Sequence, residues 1–446
     1  MKCRRYLAFI LVFIFFTSQT SFALTYEEEK KYGKEIYREI IQSAPINDDP
    51  YISFVVDTIK RRLEDKALMP FPITLTVINA ESIDAFATMG GYVYITTGLI
   101  GMCDKEEELA GVIAHEFAHI KKRHIAKRLE KQKYLNIGMV TTMLLGMLVG
   151  AGSTPEAIIT SGIAGTQAMA LKYSREDEEE ADREGSAIAD KAGYGGLGSV
   201  AFLKKLRTAG SDKLLPQYLL THPYHEARIV ALESMWKKNK VTIDAPFFPF
   251  ISLRAQVLHK SARVGDDDMV INRYLKDTSD PVNNYAAALV YSQKGNAAES
   301  IRVAGENKSP FRNLFLGEMF INARRFSEAV DTLKNDTDPV ARFLLARAYE
   351  SQNKYEPALS TLKQILSFGT VFPEIYYRLG MLFGRTGQQA KGHEYLGRFY
   401  LETGKFPLAR TNLEKAVSLY GINSPEAKAV LQILDGIRDG KNGAPP

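Results

Sequence analysis

The chain has 446 residues, which is more than one ordinary hydrophobic core accommodates and therefore predicts two domains. Hydrophobic residues make up 45% of the chain and charged residues 24%, which is the composition of a globular protein. The formal net charge of +5 falls to +2 without the first 23 residues, which contain three basic and no acidic side chains. A mature chain so close to neutrality gives no reason to expect nucleic acid as a partner.

Residues 1–23 have the pattern of a secretory signal. They place Lys2, Arg4 and Arg5 before an apolar run and end in a small-x-small pattern at Ser21 and Ala23. This pattern predicts export and cleavage, with an uncleaved membrane anchor as the weaker alternative. The exported chain then retains Cys103 as its only cysteine, so we expect no internal disulfide in the monomer.

Residues 24–240 mix helical patterns with a few strand patterns, which predicts an α+β domain. The segments 72–80 and 92–100 are rich in β-branched and aromatic residues and flank a Gly90-Gly91 turn signal. We interpret both as strands, and the second as one that could pair with an extended substrate. The stretch from Lys105 to about Lys133 begins with acidic residues and carries an apolar stripe, which predicts one continuous helix.

That helix contains the sequence HEFAH at residues 115–119. His115 and His119 are four positions apart and therefore lie on one helix face, where both imidazoles could bind one ion. Glu116 lies beside them and could take a proton from an attacking water. The spacing alone predicts a zinc site only as a hypothesis, because an ordinary amphipathic helix can carry the same residues.

The segment that follows has no charge from residue 134 to residue 152, and its length is just that of a short membrane span. Its four glycines favour a helical hairpin packed on the protein, and peripheral membrane contact is the alternative. An integral-membrane peptidase anchored here would stay in the pellet after a carbonate wash. The preceding basic run, residues 121–133, is interpreted as a solvated helix face that would also suit an anionic lipid surface.

A catalytic zinc site needs a third protein ligand, and the acidic stretch at residues 174–185 offers one. Helical phase places Glu178 and Asp182 on the small and apolar face of this helix. A buried carboxylate needs a partner, so we select Glu178 as the ligand and Asp182 as a residue that orients a zinc-bound imidazole. A solvated acidic helix is the alternative.

The stretch THPYHEARI, residues 221–229, supplies two further candidates. Either His222 or Arg228 could donate to the oxyanion that forms when water attacks an amide carbonyl. Alternatively, His222 could occupy the open zinc position as a fourth ligand and hold the site inactive. A loop histidine and a surface arginine would explain the stretch equally well on its own. His225 and His124 are interpreted as ordinary polar residues.

The rest of the chain is predicted to be helical. Residues 241–283 comprise a packed linker, rich in proline and phenylalanine, and the first helices of a repeat region. Residues 284–437 repeat themselves, because Ala298, Ala329, Ala358 and Ala390 are spaced by 31, 29 and 32 residues. Small residues twelve positions earlier would let the helices of each hairpin approach closely; they are Ala286, Gly317 and Ala346, with Gly397 before Ala409, whereas Arg378 precedes Ala390.

These spacings resemble tetratricopeptide repeats and so predict an all-α solenoid, although a featureless helical bundle remains an alternative. The last residues, 438–446, are interpreted as a disordered tail.

Taken in order, HEFAH, EEEAD and THPYHEARI resemble the M48 family of zinc metallopeptidases. The resemblance implies a gluzincin-type domain, mostly helical with a small sheet, that binds one Zn²⁺ per chain. It implies His115, His119 and Glu178 as ligands, Glu116 as catalytic base, and His222 and Arg228 as residues that assist at the transition state. Asp84, Thr88 and Met89 depart from the family pattern in the loop before the zinc helix.

A signal, such a peptidase and a repeat domain together resemble the layout of periplasmic quality-control peptidases. The expected substrates are unfolded or misassembled proteins, and an outer-membrane assembly machine is an expected partner of the repeats. The rival function is a repeat-based periplasmic chaperone or assembly factor in which the metal site is mostly occluded.

Overall fold

The computed structural model describes residues 24–131, 172–209, 218–223, 226–236, 240–261 and 269–438. The predicted signal, the uncharged stretch 134–152, His225 and the tail from residue 439 onward lie outside these ranges. Within the described ranges, no helix has both the length and the apolar character needed to cross a membrane.

The N-terminal region, residues 24–240, is mostly helical. Its described helices are α1 (Tyr26–Ser43), α2 (Pro50–Ala67), α3 (Thr97–Met102), α4 (Glu106–Lys121), α5 (His124–Lys131), α6 (Arg175–Lys191), α7 (Gly198–Ala209), α8 (Tyr218–Thr221) and α9 (Glu226–Met235). Local sequence explains several of their starts. Capping boxes begin α1 at Thr25 and α6 at Ser174, while Asp49 caps α2 and is followed by a proline at the first helical position.

A three-stranded sheet lies among these helices in the order β1 (Thr74–Ile78), β3 (Tyr92–Thr96), β2 (Ala85–Ala87). β1 runs parallel to β3, and β2 runs antiparallel to it. The predicted strand at 92–100 is therefore too long, because Thr96 ends the strand and caps α3 by accepting from the Leu99 amide at 3.2 Å. The short strand β2 was not predicted.

The position of β3 contradicts the interpretation that it pairs with a substrate. Both of its edges are already hydrogen-bonded, one to β1 and the other to β2. Among the described residues, β2 pairs only with β3 and packs against α4. The unpaired strand edge beside α4 is therefore that of β2, whose three residues are buried.

The single helix predicted for residues 105–133 is also wrong. α4 ends at Lys121, and Arg123 adopts a left-handed backbone with a φ of 59° before α5 begins at His124. Arg123 forms an ion pair with the buried carboxylate of Glu29, and Lys121 forms one with Glu184 at 2.7 Å. The first part of the basic run is thus held by acidic partners instead of forming a simple solvated face.

The C-terminal part of the described chain consists of helices. These are α10 (Phe248–Ser261), α11 (Met269–Lys276), α12 (Pro281–Gln293), α13 (Ala297–Gly305), α14 (Arg312–Asn322), α15 (Phe326–Leu333), α16 (Pro339–Ser351), α17 (Tyr355–Lys363), α18 (Glu374–Arg385), α19 (Gln389–Glu402), α20 (Phe406–Tyr420) and α21 (Pro425–Arg438). We call α12 to α21 the helical array. Phe248 and Phe250 of α10 are buried, in keeping with a packed segment before the array.

Small residues twelve positions apart do join helices of the array, but two of the predicted pairs are shifted. Ala298 is exposed, and the residue of α13 that contacts α12 is the buried Ser300, whose hydroxyl donates to the Ala288 carbonyl at 2.8 Å. In the hairpin with Arg378, the close approach is instead made by Gly380 and Gly392. Two helices can approach closely only where the side chains at their crossing are short, and serine and glycine meet that requirement as alanine does.

Both ends of the array are attached to the N-terminal region. Near its start, Arg254 of α10 bridges Asp49 at the start of α2 and Glu318 of α14, with Nη2 to carboxylate distances of 2.6 and 2.9 Å. Near its other end, Gln42 of α1 donates to the Gly404 carbonyl at 3.0 Å, and the Arg38 guanidinium lies 4.8 Å from the centre of the Phe406 ring. One hydrophobic core cluster extends from α2 through to α18.

Candidate metal centre

Three elements bring the predicted site residues together. α4 carries His115, Glu116 and His119 in a fully buried turn, and α6 carries Glu178 on the face that packs against α4. His222 follows α8 immediately and is also completely buried. The helical phase of α6 therefore predicted correctly that Glu178 lies on the buried face of this helix.

Side chains of four residues surround one point. His115 Nε2 lies 3.0 Å from His119 Nε2 and 3.4 Å from His222 Nδ1. Glu178 Oε1 lies 2.9 Å from His222 Nδ1 and 3.6 Å from His119 Nε2. One ligand atom from each of the four residues lies within 4.8 Å of the other three.

This arrangement fits a metal ion. His115 Nε2, His119 Nε2, His222 Nδ1 and Glu178 Oε1 converge in a fully buried space, where the lone pairs of all four would be directed at one cation. Imidazole nitrogens and a carboxylate oxygen are ligands that zinc prefers, and four such donors match its usual coordination number. The donor set thus suits a single zinc ion.

The electrostatics of the site agree with that reading. Burial lowers the pKa of His119, and the neighbouring His115 lowers it further. Burial opposes the charge of His115, but Asp182 and Glu178 outweigh burial and raise the pKa of His115 to about 9. Burial also disfavours the charge of Glu178, yet His222 and Arg228 hold its pKa well below the usual range. A zinc ion would take over the charge that protonated His115 otherwise supplies.

Glu116 lies beside this group without belonging to it. Its side chain is fully buried, and the backbone amide of Ala87 in β2 favours the charged form of its carboxylate. Oε1 lies 3.4 Å from His222 Nε2. Burial raises the pKa of Glu116, which suits a group that accepts a proton near neutral pH.

Asp182 and Arg228 form the layer behind the ligands. Asp182 Oδ1 lies 3.1 Å from His115 Nδ1, as expected for a carboxylate that orients this imidazole. Arg228 donates to Asp182 from Nε and Nη2 at 2.7 and 2.8 Å, and its Nη1 lies 2.7 Å from Glu178 Oε2. The Arg228 guanidinium therefore faces the carboxylates of α6, and its predicted oxyanion contact stays a prediction.

His124, interpreted from the sequence as an ordinary polar residue, contacts the group. Its Nδ1 lies 2.8 Å from His119 Nδ1, and its Nε2 lies 3.1 Å from Glu180. A continuous helix would have turned His124 about 140° away from His119, so helical phase could not identify this contact. The left-handed residue at Arg123 redirects the chain and makes it possible.

Two tyrosine rings, also missed from the sequence, cover the imidazoles. The Tyr173 ring stacks on His119 with centroids 3.8 Å apart, and the Tyr218 ring stacks on His222 at 4.4 Å. Both tyrosines are buried. Because they come from segments on either side of residues 174–217, sequence spacing gave no signal for them.

Replacing Gly185 by alanine should disturb the site without removing any ligand. A Cβ at Gly185 would lie 2.8 Å from His115 Cα and 2.9 Å from the Ala114 carbonyl oxygen, so α6 must move away from α4. We expect the free energy of unfolding to fall by about 1–3 kcal/mol in urea titrations, with faster zinc loss on dialysis. Gly305→Ala, where the added Cβ meets nothing within 4 Å, is the control and should change neither quantity appreciably. Unchanged stability and zinc retention in Gly185→Ala would contradict the described packing.

Comparison with known proteins gives a consistent result. The family model "Peptidase family M48" matches residues 53–236. The chain is 32% identical over 282 residues to the "Putative beta-barrel assembly-enhancing protease" of Vibrio cholerae, covering 60% of this chain and 57% of that protein. It is 26% identical over 360 residues to the "Beta-barrel assembly-enhancing protease" of Escherichia coli K12, covering 76% and 74%.

A more distant relative is the "Mitochondrial metalloendopeptidase OMA1" of Schizosaccharomyces pombe. It is 25% identical over 219 residues, covering 48% of this chain and 62% of that protein. The similarity thus spans little more than half of the Vibrio protein and about three quarters of the Escherichia protein.

Proposed function

The chain belongs to peptidase family M48 through residues 53–236, a zinc-dependent peptidase domain, and from this premise we propose that the protein is a periplasmic endopeptidase. Its proposed substrates are unfolded or misassembled proteins, in particular those of outer-membrane assembly. The observation that carries the peptidase function is the buried group of His115, His119, Glu178 and His222 beside the buried carboxylate of Glu116.

In the proposed mechanism, His115, His119 and Glu178 hold the metal. Zinc, when bound, lowers the pKa of water and polarises a carbonyl group. Glu116 accepts the proton of the attacking water and delivers it to the leaving amine, since it is buried beside the ligand group and burial raises its pKa. Asp182 orients His115 through Nδ1, and Arg228 keeps Asp182 and Glu178 in place. His222 donates to the oxyanion once it has left the ligand group.

His222 has a second proposed role, as a reversible cap. Its Nδ1 lies among the atoms that would surround the metal, so it occupies the position that an attacking water needs. The protein as described would therefore be restrained, and a substrate or partner would have to displace His222. A capped metal site is also what the alternative function requires, in which the protein is a repeat-based chaperone or assembly factor whose metal site is mostly occluded.

We expect His222→Ala to raise casein cleavage several-fold over the wild type while zinc content stays at one ion per chain. The reason is that removal of the imidazole frees one coordination position and leaves the other three ligands in place, and this gain is expected to exceed the loss of the oxyanion contact of His222. Metal analysis and casein cleavage on purified residues 24–446 measure both quantities. Loss of cleavage with zinc retained would instead make His222 essential to the chemistry, and zinc without cleavage in the wild type and in this variant would favour the chaperone function.

We further propose that the helical array is a tetratricopeptide solenoid that docks clients or an assembly machine. Consecutive helical hairpins with small residues at their crossings support this proposal. Ser300, Ala329 and Ala358 occupy equivalent positions in successive hairpins and are 29 residues apart. This spacing is shorter than the usual period of tetratricopeptide repeats. Co-purification of assembly proteins with the intact chain, lost when residues 284–437 are deleted, would support docking by the array.

Export to the periplasm is supported by the signal pattern of residues 1–23 and by the names of the bacterial relatives. The relatives' printed names also motivate the proposed link to β-barrel assembly. Residues 134–152 remain a candidate for peripheral membrane contact. Recovery of the mature chain in the osmotic-shock fraction would support the location, and retention in carbonate-washed membranes would favour an anchored peptidase.

Extended substrates are proposed to pair with β2. This strand uses one edge for β3 and lies against α4, which carries Glu116. A strand-like substrate would gain main-chain hydrogen bonds there, which favours unfolded chains. Cleavage of a stably folded client at a rate equal to that of its unfolded form would argue against this part of the proposal.

A further inference from the structure

A positively charged cavity lies within the helical array, outside the metal centre. It has a volume of about 590 Å³ and opens between the C-terminal parts of α14, α16 and α18. Four of its lining residues are arginines, Arg324, Arg347, Arg378 and Arg385, and one is an acid, Glu350. We call these five residues and the space between them the arginine pocket.

The arginines of the pocket have too few acidic partners. Arg378 forms ion pairs with Glu350 at 2.7 Å and with Glu374 at 3.0 Å, and Arg385 donates to the Tyr355 hydroxyl at 3.2 Å. Across the described residues, neither Arg324 nor Arg347 lies within 4.0 Å of a carboxylate oxygen. The pocket therefore has an excess of positive charge that the described fold does not neutralise.

Arg347 is the most informative member of the group. Its side chain is partly buried, and burial together with the neighbouring Arg378 lowers the pKa of Arg347, although Glu318 and Glu374 act in the opposite direction. A cation kept in such a place destabilises the fold unless something compensates for it. Cations near a helix C-terminus are favoured by the helix dipole, and Arg347 lies near the end of α16. That effect is screened and limited to the last turn, so it does not explain four arginines around one cavity.

The remaining lining residues suit a peptide. Phe326 is half-buried and offers apolar surface next to the arginines. Asn322 donates to Ser292 and Asn353 accepts from Tyr355, and each amide keeps further capacity for a peptide backbone. Guanidinium groups bind carboxylates in a bidentate manner, which gives both affinity and orientation. Together these groups recognise carboxylates on a chain that also carries apolar side chains.

We propose that the arginine pocket binds an acidic, extended segment of a client polypeptide, with two or more carboxylates on Arg324, Arg347, Arg378 and Arg385. This inference rests on the proposed function, because it gives the array the chemistry by which it docks substrates. It predicts a preference for clients with acidic and apolar residues in alternation. It also predicts that binding weakens as ionic strength rises, since the pocket is open to solvent.

The test uses the full chain with Glu116→Gln, so that a bound peptide is not cut. Fluorescence anisotropy compares a short labelled peptide of alternating aspartate and leucine with the same peptide carrying asparagine for aspartate. Arg324→Gln and Arg347→Gln are each added to this background, and Arg410→Gln, an exposed arginine of α20, is the matched control. We expect each pocket variant to bind the acidic peptide with about tenfold lower affinity and the control variant to bind it with unchanged affinity.

A stability measurement accompanies the binding assay. Because Arg347 has no ion-pair partner to lose among the described residues, Arg347→Gln should melt at the same temperature as its parent or higher, while its peptide binding falls. A lower melting temperature would show that Arg347 supports the fold and would overturn the assignment. Equal binding by the neutral peptide, or undiminished binding in both pocket variants, would overturn it too. Arginine-dependent binding of phosphatidylglycerol vesicles without binding of the acidic peptide would reassign the pocket to lipid.

Comparing casein cleavage by the wild type with peptide binding distinguishes failure of the arginine pocket from failure of the proposed peptidase function. Cleavage without peptide binding would refute only the arginine pocket. Peptide binding without cleavage by any zinc-loaded form would refute the peptidase function and leave the pocket standing.

Discussion

Replacing Glu116 by glutamine is expected to lower casein cleavage by about 10²- to 10⁴-fold while the chain keeps one zinc ion. Glutamine has nearly the same shape as glutamate but cannot accept the proton of the attacking water. The Glu116 side chain is fully buried beside Ala87 and His222, and glutamine keeps an oxygen that can accept from the Ala87 amide. The substitution should therefore alter the chemistry and leave the packing of α4 intact.

The control for this prediction is Glu179→Gln. Glu179 lies next to the proposed ligand Glu178 but is exposed, so the same chemical change is made within one residue of the site. Wild-type cleavage is expected from this variant. Three measurements are compared across the proteins: zinc per chain, melting temperature and initial rate of casein cleavage. Cleavage by Glu116→Gln at the wild-type rate would remove Glu116 from the mechanism, and loss of zinc from it would make Glu116 a ligand.

The second large effect is expected at the junction between the two parts of the chain. Arg254 is buried with Asp49 on one side and Glu318 on the other, and it also donates to the Tyr285 hydroxyl. Arg254→Met would leave both carboxylates buried without their cation. We expect the free energy of unfolding to fall by about 3–5 kcal/mol, measured by urea titration with circular dichroism.

Two further proteins make this prediction specific. Arg302→Met removes an arginine that pairs with Glu299 and Glu306 on an exposed helix face, and it should change stability by about 1 kcal/mol or less. Adding Asp49→Asn and Glu318→Gln to Arg254→Met should recover much of the lost stability, because the stranded charges are then gone. If Arg254→Met unfolds at the same urea concentration as Arg302→Met, the junction does not depend on this ion pair.

The sequence predicted which candidate side chains share a helix face, because helical phase is a local property. His115 and His119 share a face four residues apart, and the same rule separated Glu178 and Asp182 from the exposed Glu176 and Glu179. Proximity between α4, α6 and α8 could not be calculated from phase alone. It came from the resemblance to family M48, whose motifs occur in the same order.

The predictions failed where tertiary contacts override local pattern. Residues 105–133 have a helical pattern throughout, but the Glu29 carboxylate holds Arg123 in a left-handed turn and divides the helix. This break is also the reason that His124 reaches His119. β2 has only three residues, Ala85–Ala87, too few to show the alternation by which a strand is recognised.

In the array, the spacing of small residues was recognised but the register was not. The alanine spacing pointed to Ala298, which is exposed, whereas the buried Ser300 makes the contact with Ala288 of α12. Gly380 and Gly392 were passed over for the same reason, and Arg378 then looked like a departure from the pattern. What the crossing requires is a short side chain, and composition alone does not distinguish which short residue points inward.

The attachment of the array at both ends has a mechanical consequence. If the array were joined to the N-terminal region only near α10, its far end could move away from that region at little cost in free energy. Here the contacts of Gln42 with Gly404 and of Arg38 with Phe406 clamp the far end as well. The middle of the array is fixed too, because the Phe54 ring of α2 lies 4.9 and 5.6 Å from the Phe368 and Phe372 rings and one buried cluster joins α2 to α18. The array therefore cannot move away from the N-terminal region as one piece without breaking buried contacts along its length.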